Sequence, residues 1–311
     1  MSKTIRVYSN ANTLVSRPEV DARLFHGDCF ELLRELETNS IDLVISSPPY
    51  CMGKSYESST SVDDFKKFHA QIFPEIARVV RPGGSVCWQV GNHVSRSIVT
   101  PLDFLVFEAM SVHSEFQLRN RIVWAFEHGL HRSSSFSGRH ETILWYSKGL
   151  PKLFDLDAIR VPQKYPGKRS YKGPNKGNYS GNPLGKNPGD VWADIPNVKG
   201  HHVEKSLHPC QFPVALPQRL IKALCEENDV VLDPFAGVAS TGVAALLENC
   251  SFIGAEMNAE YIAVGADRLR KTRDGKVAIR PLNKPIAEPA VGHAVSTRPE
   301  HFSDHGNEEI K

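Results

Sequence analysis

The residues most suggestive of chemistry form a double-proline turn, Ser47-Pro48-Pro49-Tyr50, called the proline turn below. Neither proline nitrogen can donate a hydrogen bond, so the turn presents carbonyl acceptors, and the Ser47 hydroxyl adds another. The Tyr50 ring offers a face for stacking. An aromatic amine is a poor nucleophile, and acceptors on its hydrogens would let its nitrogen pyramidalise and react. The turn therefore indicates chemistry on an amine attached to a planar ring, with a plain structural turn as the alternative.

A second candidate site follows an apolar run at residues 230–232. It comprises Asp233-Pro234-Phe235-Ala236-Gly237, Ser240 and Thr241, within residues 233–241, which we call the glycine loop, and Glu256 stands after the next predicted strand. Small residues let a ligand approach the backbone, and free N–H groups at a helix start can meet a polar group. An acid at Glu256 can accept hydrogen bonds from both hydroxyls of a ribose. The pattern predicts a nucleotide-like cofactor, with an ordinary βαβ unit as the alternative, and lacks the GxGxxG spacing typical of NAD and FAD sites.

The elements that must position these residues alternate between strand and helix along the chain. Such alternation predicts an α/β fold with a doubly wound, mostly parallel sheet. The proline turn directly follows the predicted strand at 41–45, which places it at the carboxyl edge of the sheet, where open α/β sheets bind ligands. We predict strands at 22–25, 41–45, 85–90, 117–126, 141–146, 230–232 and 251–254, and helices at 29–40, 63–80, 101–113, 213–225, 240–248 and 260–270.

Residues 160–189, the basic segment, interrupt this alternation. The segment holds seven Lys or Arg, no Asp or Glu, and many Gly and Pro, so it cannot bury much core. Lys and Arg attract phosphates, and Arg and Asn read base edges, so the segment is a candidate nucleic-acid surface, with a solvated loop as the alternative. Its basic residues are Arg160, Lys164, Lys168, Arg169, Lys172, Lys176 and Lys186, interleaved with Tyr165, Tyr171 and Tyr179.

The overall composition limits the remaining possibilities. A formal net charge of +2 gives no general attraction to nucleic acid, so that interpretation rests on the basic segment alone. Six cysteines without CxxC spacing argue against structural zinc and a disulfide framework, and favour a reducing compartment. We see no signal peptide and no apolar run long enough to span a membrane, and we therefore expect a cytoplasmic protein.

Taken together, the two motifs resemble those of the DNA amino-methyltransferases. The order of SSPPY, a basic region and then DPFAGVAST is similar to that of the permuted group called β. The resemblance covers roughly residues 22 to 270. Ala239 departs slightly from the FxGxG pattern of the family. Further matching motifs are Gly27-Asp28-Cys29, Arg81-Pro82-Gly83-Gly84, Arg139-His140-Glu141-Thr142-Ile143-Leu144 and His208-Pro209-Cys210-Gln211-Phe212-Pro213.

The resemblance implies a circularly permuted, Rossmann-like methyltransferase fold. It implies direct methyl transfer from S-adenosylmethionine to an exocyclic amine of a base flipped out of duplex DNA. The proline turn would be catalytic, Asp28 would contact the cofactor's adenine, and Glu256 its ribose. Residues 233–237 would hold the methionine part, and Phe212 would close the pocket. Cys29, Ser240, Thr241 and Met257 complete the expected cofactor set. The implied divisions are a catalytic half at 1–150, a target-recognition insert at 151–205 and a cofactor half at 206–274. Residues 275–311 are Pro-rich, His-rich and polar, which predicts a mostly disordered tail.

Several alternatives remain open. Ser47 in the first position of the tetrapeptide favours cytosine N4 in this family, and adenine N6 is the rival. Cys210 suggests attack on carbon 5 of cytosine, but there the glycine loop would precede the cysteine. A non-catalytic DNA-binding protein and an RNA or protein amine methyltransferase are further alternatives. We expect no metal, although His201, His202 and His208 lie close in sequence. A cognate restriction endonuclease is a possible partner, and the oligomeric state stays open.

Overall fold

The structure, a computed structural model, describes residues 5–8, 21–50, 61–126, 129 and 131–286. The expected tail beyond residue 286 lies outside these residues. The strands are β1 (Ile5–Tyr8), β2 (Ala22–His26), β3 (Ile41–Ser46), β4 (Val80–Val90), β5 (Asn92–Ser95), β6 (Ile98–Pro101), β7 (Phe116–Ala125), β8 (His140–Lys148), β9 (Val191–Trp192), β10 (Val230–Asp233) and β11 (Ser251–Glu256). The helices are α1 (Cys29–Glu35), α2 (Val62–Val79), α3 (Leu102–Ser111), α4 (Ala215–Leu224), α5 (Ser240–Leu247) and α6 (Ala259–Arg273), with a 3-10 helix at Asp157–Ile159.

The sheet confirms the predicted fold class. Its strand order is β1-β2-β11-β10-β3-β4-β8-β7-β9, and the strands from β1 to β4 in this order run parallel. The pairs β4–β8 and β8–β7 are antiparallel. Strands β3 and β10, which precede the two candidate segments, are direct neighbours with Val44 opposite Leu232. Residues far apart in the sequence therefore emerge side by side at one edge.

Two hydrophobic clusters cover the two faces of the sheet. Alternate residues of each strand point to opposite faces, so Val231 joins one cluster while Val230 and Leu232 join the other. The first cluster includes residues of α4, α5 and α6, and the second includes residues of α1, α2 and α3. The strands of a sheet that is covered on both faces have mostly apolar sequences. Strand β3 is an example, and all of its residues are buried.

Several elements differ from the predicted ones. Helix α2 ends at Val79, and the RPGG motif lies inside β4, which begins at Val80 because Val80 pairs with Ile41. The hairpin β5–β6 was not predicted, since its turn residues Arg96 and Ser97 adopt positive φ without the usual Asn or Gly. The edge strands β1 and β9, of four and two residues, were also not predicted.

The segment that follows α6 was expected to be disordered, but its described part, residues 275–286, packs on the fold. Val277, Ile279 and Leu282 lie against the first hydrophobic cluster. The backbone N–H of Arg280 donates to Glu204 Oε1 over 3.0 Å. These three apolar side chains account for the packing. Across the described ranges, no helix is both long and apolar enough to cross a membrane.

Candidate active site

A cavity of about 440 Å³ opens where β3 and β10 end. Its walls come from both ends of the sequence, because the sheet brings the proline turn beside the glycine loop. Residues from 124–126, 197–199 and 208–212 close the remaining sides. The predicted site residues that line it are Asp28, Cys29, Ser47, Pro48, Pro49, Tyr50, Phe212, Pro234, Phe235, Ala236, Gly237, Ser240, Glu256 and Met257.

Two predicted site residues, Asp233 and Thr241, lie behind the cavity wall. Asp233 is fully buried, and its Oδ1 accepts a hydrogen bond from Ser46 Oγ over 2.6 Å. Its Oδ2 accepts from Thr241 Oγ1 over 2.7 Å, and the N–H of Phe235 donates to Oδ1 over 3.1 Å. Burial raises the pKa of Asp233 to about 6, with a further contribution from the Glu256 carboxylate. Asp233 therefore ties the glycine loop to the end of β3.

Helix α6 supports the same loop from the other side. Arg268 Nη1 donates to the carbonyl of Val238 over 2.6 Å and to Ser240 Oγ over 3.1 Å. Ala239 has φ +58° and ψ +40°, the left-handed conformation that glycine adopts at little cost. This is the position where Ala replaces the family's glycine. The loop keeps the glycine-like backbone despite that change.

Glu256 ends β11 with both carboxylate oxygens engaged by the backbone. Oε2 accepts from the N–H of Gly237 over 3.0 Å, and Oε1 accepts from the N–H of Asn258 over 2.8 Å. Burial raises the pKa of Glu256. Each oxygen of a carboxylate has a second lone pair. The side chain is thus fixed in place and can still accept hydrogen bonds from a pair of hydroxyls.

Aromatic and apolar side chains form the wall near α1 and α2. Asp28 caps α1, with Oδ1 accepting from the N–H of Phe30 over 2.8 Å. The rings of Phe68 and Phe235 are 5.6 Å apart, and both line the cavity. Burial raises the pKa of the Cys29 thiol to about 12, so this cysteine is an apolar wall residue. A planar ring would find apolar surface here.

The opposite part of the cavity holds a polar network around the proline turn. Ser47 Oγ and the Tyr50 hydroxyl are 2.8 Å apart. The Tyr50 hydroxyl donates to Glu141 Oε2 over 3.3 Å, and Gln89 Nε2 donates to the same oxygen over 2.6 Å. Burial and the Glu141 charge raise the pKa of Tyr50 well above its usual value. Glu141 appeared in the sequence only as part of a matching motif, and Gln89 gave no signal.

Cys210 and His208 also line the cavity. Burial lowers the pKa of His208 to about 4, and its ring meets the Tyr261 ring at 4.6 Å. His208 therefore contributes a neutral imidazole at neutral pH. In the part of the chain that the structure describes, no group of three or more His, Cys, Asp or Glu is placed to hold a metal ion.

The basic segment lies outside the cavity wall. Arg160 donates to Asp157 Oδ1 over 2.6 Å, and the Arg169 guanidinium stacks 4.2 Å above the Tyr179 ring. The other five predicted basic residues of the segment carry exposed side chains. Beyond the segment, β9 returns the chain to the sheet, and Trp124 Nε1 donates to the Ile195 carbonyl over 2.7 Å. This anchor brings Asn197 and Lys199 to the cavity.

Comparisons with known proteins agree with this architecture. A family model described as DNA methylase matches residues 41–267. The type II methyltransferase M.BglII of Bacillus subtilis is 44% identical over 246 residues, which are 78% of this chain and 67% of that protein. The DNA adenine methyltransferase YhdJ of Escherichia coli K12 is 32% identical over 251 residues, 79% of this chain and 82% of YhdJ.

Among solved structures, the cytosine-N4-specific PvuII DNA methyltransferase has the same fold. Its TM-score is 0.62 at 22% identity, over 81% of this chain and 90% of that one. Other structures with this fold were solved with S-adenosylmethionine bound. The extent of the family match and the identity with M.BglII establish that the chain belongs to the DNA methylase family.

Proposed function

We propose that the protein transfers a methyl group from S-adenosylmethionine to the N4 amine of cytosine in duplex DNA. The observation that carries the proposal is one cavity that holds both the acceptor-rich proline turn and the glycine loop with Glu256. Adenine N6 is the second candidate, and the 32% identity with YhdJ, a DNA adenine methyltransferase, favours it. Ser47 in the first tetrapeptide position supports cytosine, by resemblance to the cytosine-N4 enzymes.

The residues of the cavity fit S-adenosylmethionine. The loop backbone passes close to its neighbours, since a Cβ on Gly237 would lie 3.3 Å from His208 Nε2. Glu256 would accept from the ribose hydroxyls, and Phe68 and Phe235 would face the adenine with Asp28 and Cys29 beside it. When bound, this cofactor supplies a methyl group on a positively charged sulfur. Residues 234–237 and Ser240 would hold its amino-acid end, with Phe212 and Met257 at the rim.

Asp233 and Thr241 have a supporting role in this proposal. Their hydrogen bonds to each other and to Ser46 use the Asp233 oxygens, so they shape the glycine loop instead of contacting the cofactor. Ser46 directly precedes Ser47. The same contacts therefore hold the start of the proline turn and the start of the glycine loop in a fixed position relative to each other.

The proline turn would hold the target amine through its two hydrogens. Ser47 Oγ and the Pro48 carbonyl are acceptors, and Pro49 has no N–H that would compete for them. Hydrogen bonds from both amine hydrogens to these oxygens leave the lone pair of the nitrogen available to react. Tyr50, Trp124 and Phe126 would enclose the flipped base and exclude water. The transfer is direct, with no covalent bond between base and enzyme.

The basic segment would contact the DNA outside the cavity. Its exposed lysines can neutralise phosphates, while the target base leaves the stack to reach the proline turn. We further propose a catalytic half (1–150), a target-recognition insert (151–205) and a cofactor half (206–274), in the order of the permuted β group. We also propose a cognate restriction endonuclease as a partner and a cytoplasmic location; M.BglII itself is named a type II methyltransferase.

The experiment is digestion and mass spectrometry of DNA from cells that express the wild type or Ser47→Ala. N4-methylcytosine that appears only with the wild type would establish the reaction and the base. N6-methyladenine would keep the chemistry and reject cytosine. Ser111→Ala removes an exposed serine hydroxyl on α3 and serves as the matched control. No modified base, with soluble protein present, would contradict the proposal.

A further inference from the structure

The hydrogen bonds around the proline turn influence whether the Ser47 hydroxyl presents its hydrogen or its lone pairs to the cavity. Three oxygens of the described residues lie near the Tyr50 hydroxyl: Ser47 Oγ at 2.8 Å, Glu141 Oε2 at 3.3 Å and the Gln89 carbonyl at 3.5 Å. Gln89 lies in β4, Glu141 lies in β8, and Ser47 lies in the turn that follows β3. Strands β3, β4 and β8 are neighbours in the sheet in that order. All four residues line the cavity.

The number of hydrogens available favours one direction for the bond between Ser47 and Tyr50. A tyrosine hydroxyl carries one hydrogen, and a carbonyl or an ionised carboxylate can only accept one. Two of these neighbours can only accept, and one of them is a carboxylate, so both compete with Ser47 for the Tyr50 hydrogen. When that hydrogen points to them, Ser47 donates to the Tyr50 oxygen. The lone pairs of Ser47 Oγ are left for a ligand.

Gln89 holds Glu141 in the orientation that this arrangement needs. Its Nε2 is a donor only, and it lies 2.6 Å from the Oε2 atom that also accepts from Tyr50. Burial raises the pKa of Glu141, while the hydrogen bonds from Gln89 and Tyr50 and the charge of Lys199 oppose that rise. A buried carboxylate is costly unless it is hydrogen bonded, and the bond from Tyr50 links Glu141 to Ser47.

We propose that Glu141 is a positioning residue that directs the Tyr50 hydrogen away from Ser47, so that Ser47 Oγ offers the substrate amine only acceptor sites. The inference rests on the proposed amine methyl transfer. If the Tyr50 hydrogen turned to Ser47, the serine hydrogen would be free to point at the amine hydrogens. The amine would then lose an acceptor, and its lone pair would be less available.

The test is a double-mutant cycle on the full chain, with S-adenosylmethionine and duplex DNA from a methylation-deficient strain. We expect Glu141→Ala to lower the single-turnover rate about 10- to 100-fold, as expected when a group that orders the reacting atoms is removed, and to change cofactor affinity less than about twofold. Glu141→Gln should stay within about threefold of the wild type, because Gln89 still orients an oxygen towards Tyr50.

Adding Tyr50→Phe separates this role from packing. Without the tyrosine hydrogen there is nothing for Glu141 to direct. In the Tyr50→Phe protein, Glu141→Ala should therefore lower the single-turnover rate by less than about twofold further. Independent, multiplicative losses, or equal losses in the Gln and Ala variants, would overturn the inference while an active wild type kept the proposed function. A folded wild type without methyl transfer would overturn both. Unfolding midpoints identify any variant that fails to fold.

Discussion

The glycine loop and the basic segment are built in opposite ways. Buried hydrogen bonds of Asp233 and Arg268 hold the loop in place. The basic segment has exposed side chains and is ordered mainly by hydrogen bonds within its own backbone, such as Ser170 N–H to the Asn178 carbonyl at 2.8 Å. A fixed loop suits one small ligand of constant shape. An exposed segment suits a long, repetitive and deformable partner.

The largest expected effect comes from removing the support beneath the glycine loop. Asp233→Ala leaves the buried Ser46 Oγ and Thr241 Oγ1 and the part-buried Phe235 N–H without their acceptor. Each unsatisfied group costs roughly 1–3 kcal/mol, and with some relaxation we expect the free energy of unfolding to fall by about 3–4 kcal/mol. Chemical denaturation measures this. Asp274→Ala, at an exposed aspartate, is the control and should change stability by less than about 0.5 kcal/mol.

A small effect of Asp233→Ala would mean that the loop does not depend on its buried contacts. If the free energy of unfolding fell by less than about 1 kcal/mol, the contrast between the two regions would disappear, because surface substitutions have effects of similar size. Asp233→Asn sharpens the experiment, since the amide keeps one acceptor oxygen and replaces the other with a donor. We expect it to lie between the wild type and the alanine variant.

The fold and the two motif segments were predictable from local signals. The strand before Ser47 and the strand before Asp233 are apolar runs followed by distinctive turns, and both form as predicted. The inward orientation of Asp233 was not predictable, because it depends on Ser46, which is 187 residues away in the sequence. The resemblance assigns residues 233–237 to the methionine part of the cofactor, and in the structure the Asp233 side chain is buried beneath the loop.

The same limit applies to the network around the proline turn. Gln89 lies in a strand that reads as ordinary sheet, and nothing in its neighbourhood marks it. Its importance appears only when β4 and β8 pair, with Gln89 opposite Ile143, and bring its amide to Glu141. Strand pairing between distant segments is not encoded in a local pattern. Residues that act through such pairing need the three-dimensional structure.

The second prediction tests the ligand side of the loop. Glu256→Ala removes the acceptor for the Gly237 N–H and the proposed acceptor for the ribose hydroxyls. We expect the affinity for S-adenosylmethionine to fall about 10- to 100-fold, since hydrogen bonds to a charged group contribute about 1.5–3 kcal/mol. Calorimetric titration measures it. Ser47→Ala, in the same cavity, should leave this affinity within about twofold, since it removes one neutral hydroxyl. Equal losses in both variants would contradict the division of labour.

The third prediction concerns the exposed lysines of the basic segment. Lys172→Ala with Lys176→Ala should weaken DNA binding by about tenfold at low salt. The slope of log affinity against log salt should fall by about 0.9 for each phosphate that is no longer neutralised. Stability should not change, because both side chains are exposed. Fluorescence anisotropy over a salt series measures the slope. Lys66→Ala with Lys67→Ala removes the same charge from the exposed face of α2 and is the matched control. The slope should stay unchanged in this variant.

The smallest effect separates basic residues that are already engaged from those that are free to meet DNA. Arg169 stacks 4.2 Å above Tyr179 and donates to the Gly177 carbonyl over 2.7 Å. Arg169→Gln should therefore loosen the turn that Ser170 and Gly177 close, raising their amide hydrogen exchange about two- to fivefold, as expected for an exposed cation–π contact of about 0.5–1 kcal/mol. Its effect on the salt slope should be smaller than that of one lysine, because its guanidinium is committed within the segment. An unchanged exchange rate with a full decrease of the slope would show instead that Arg169 leaves Tyr179 to bind phosphate.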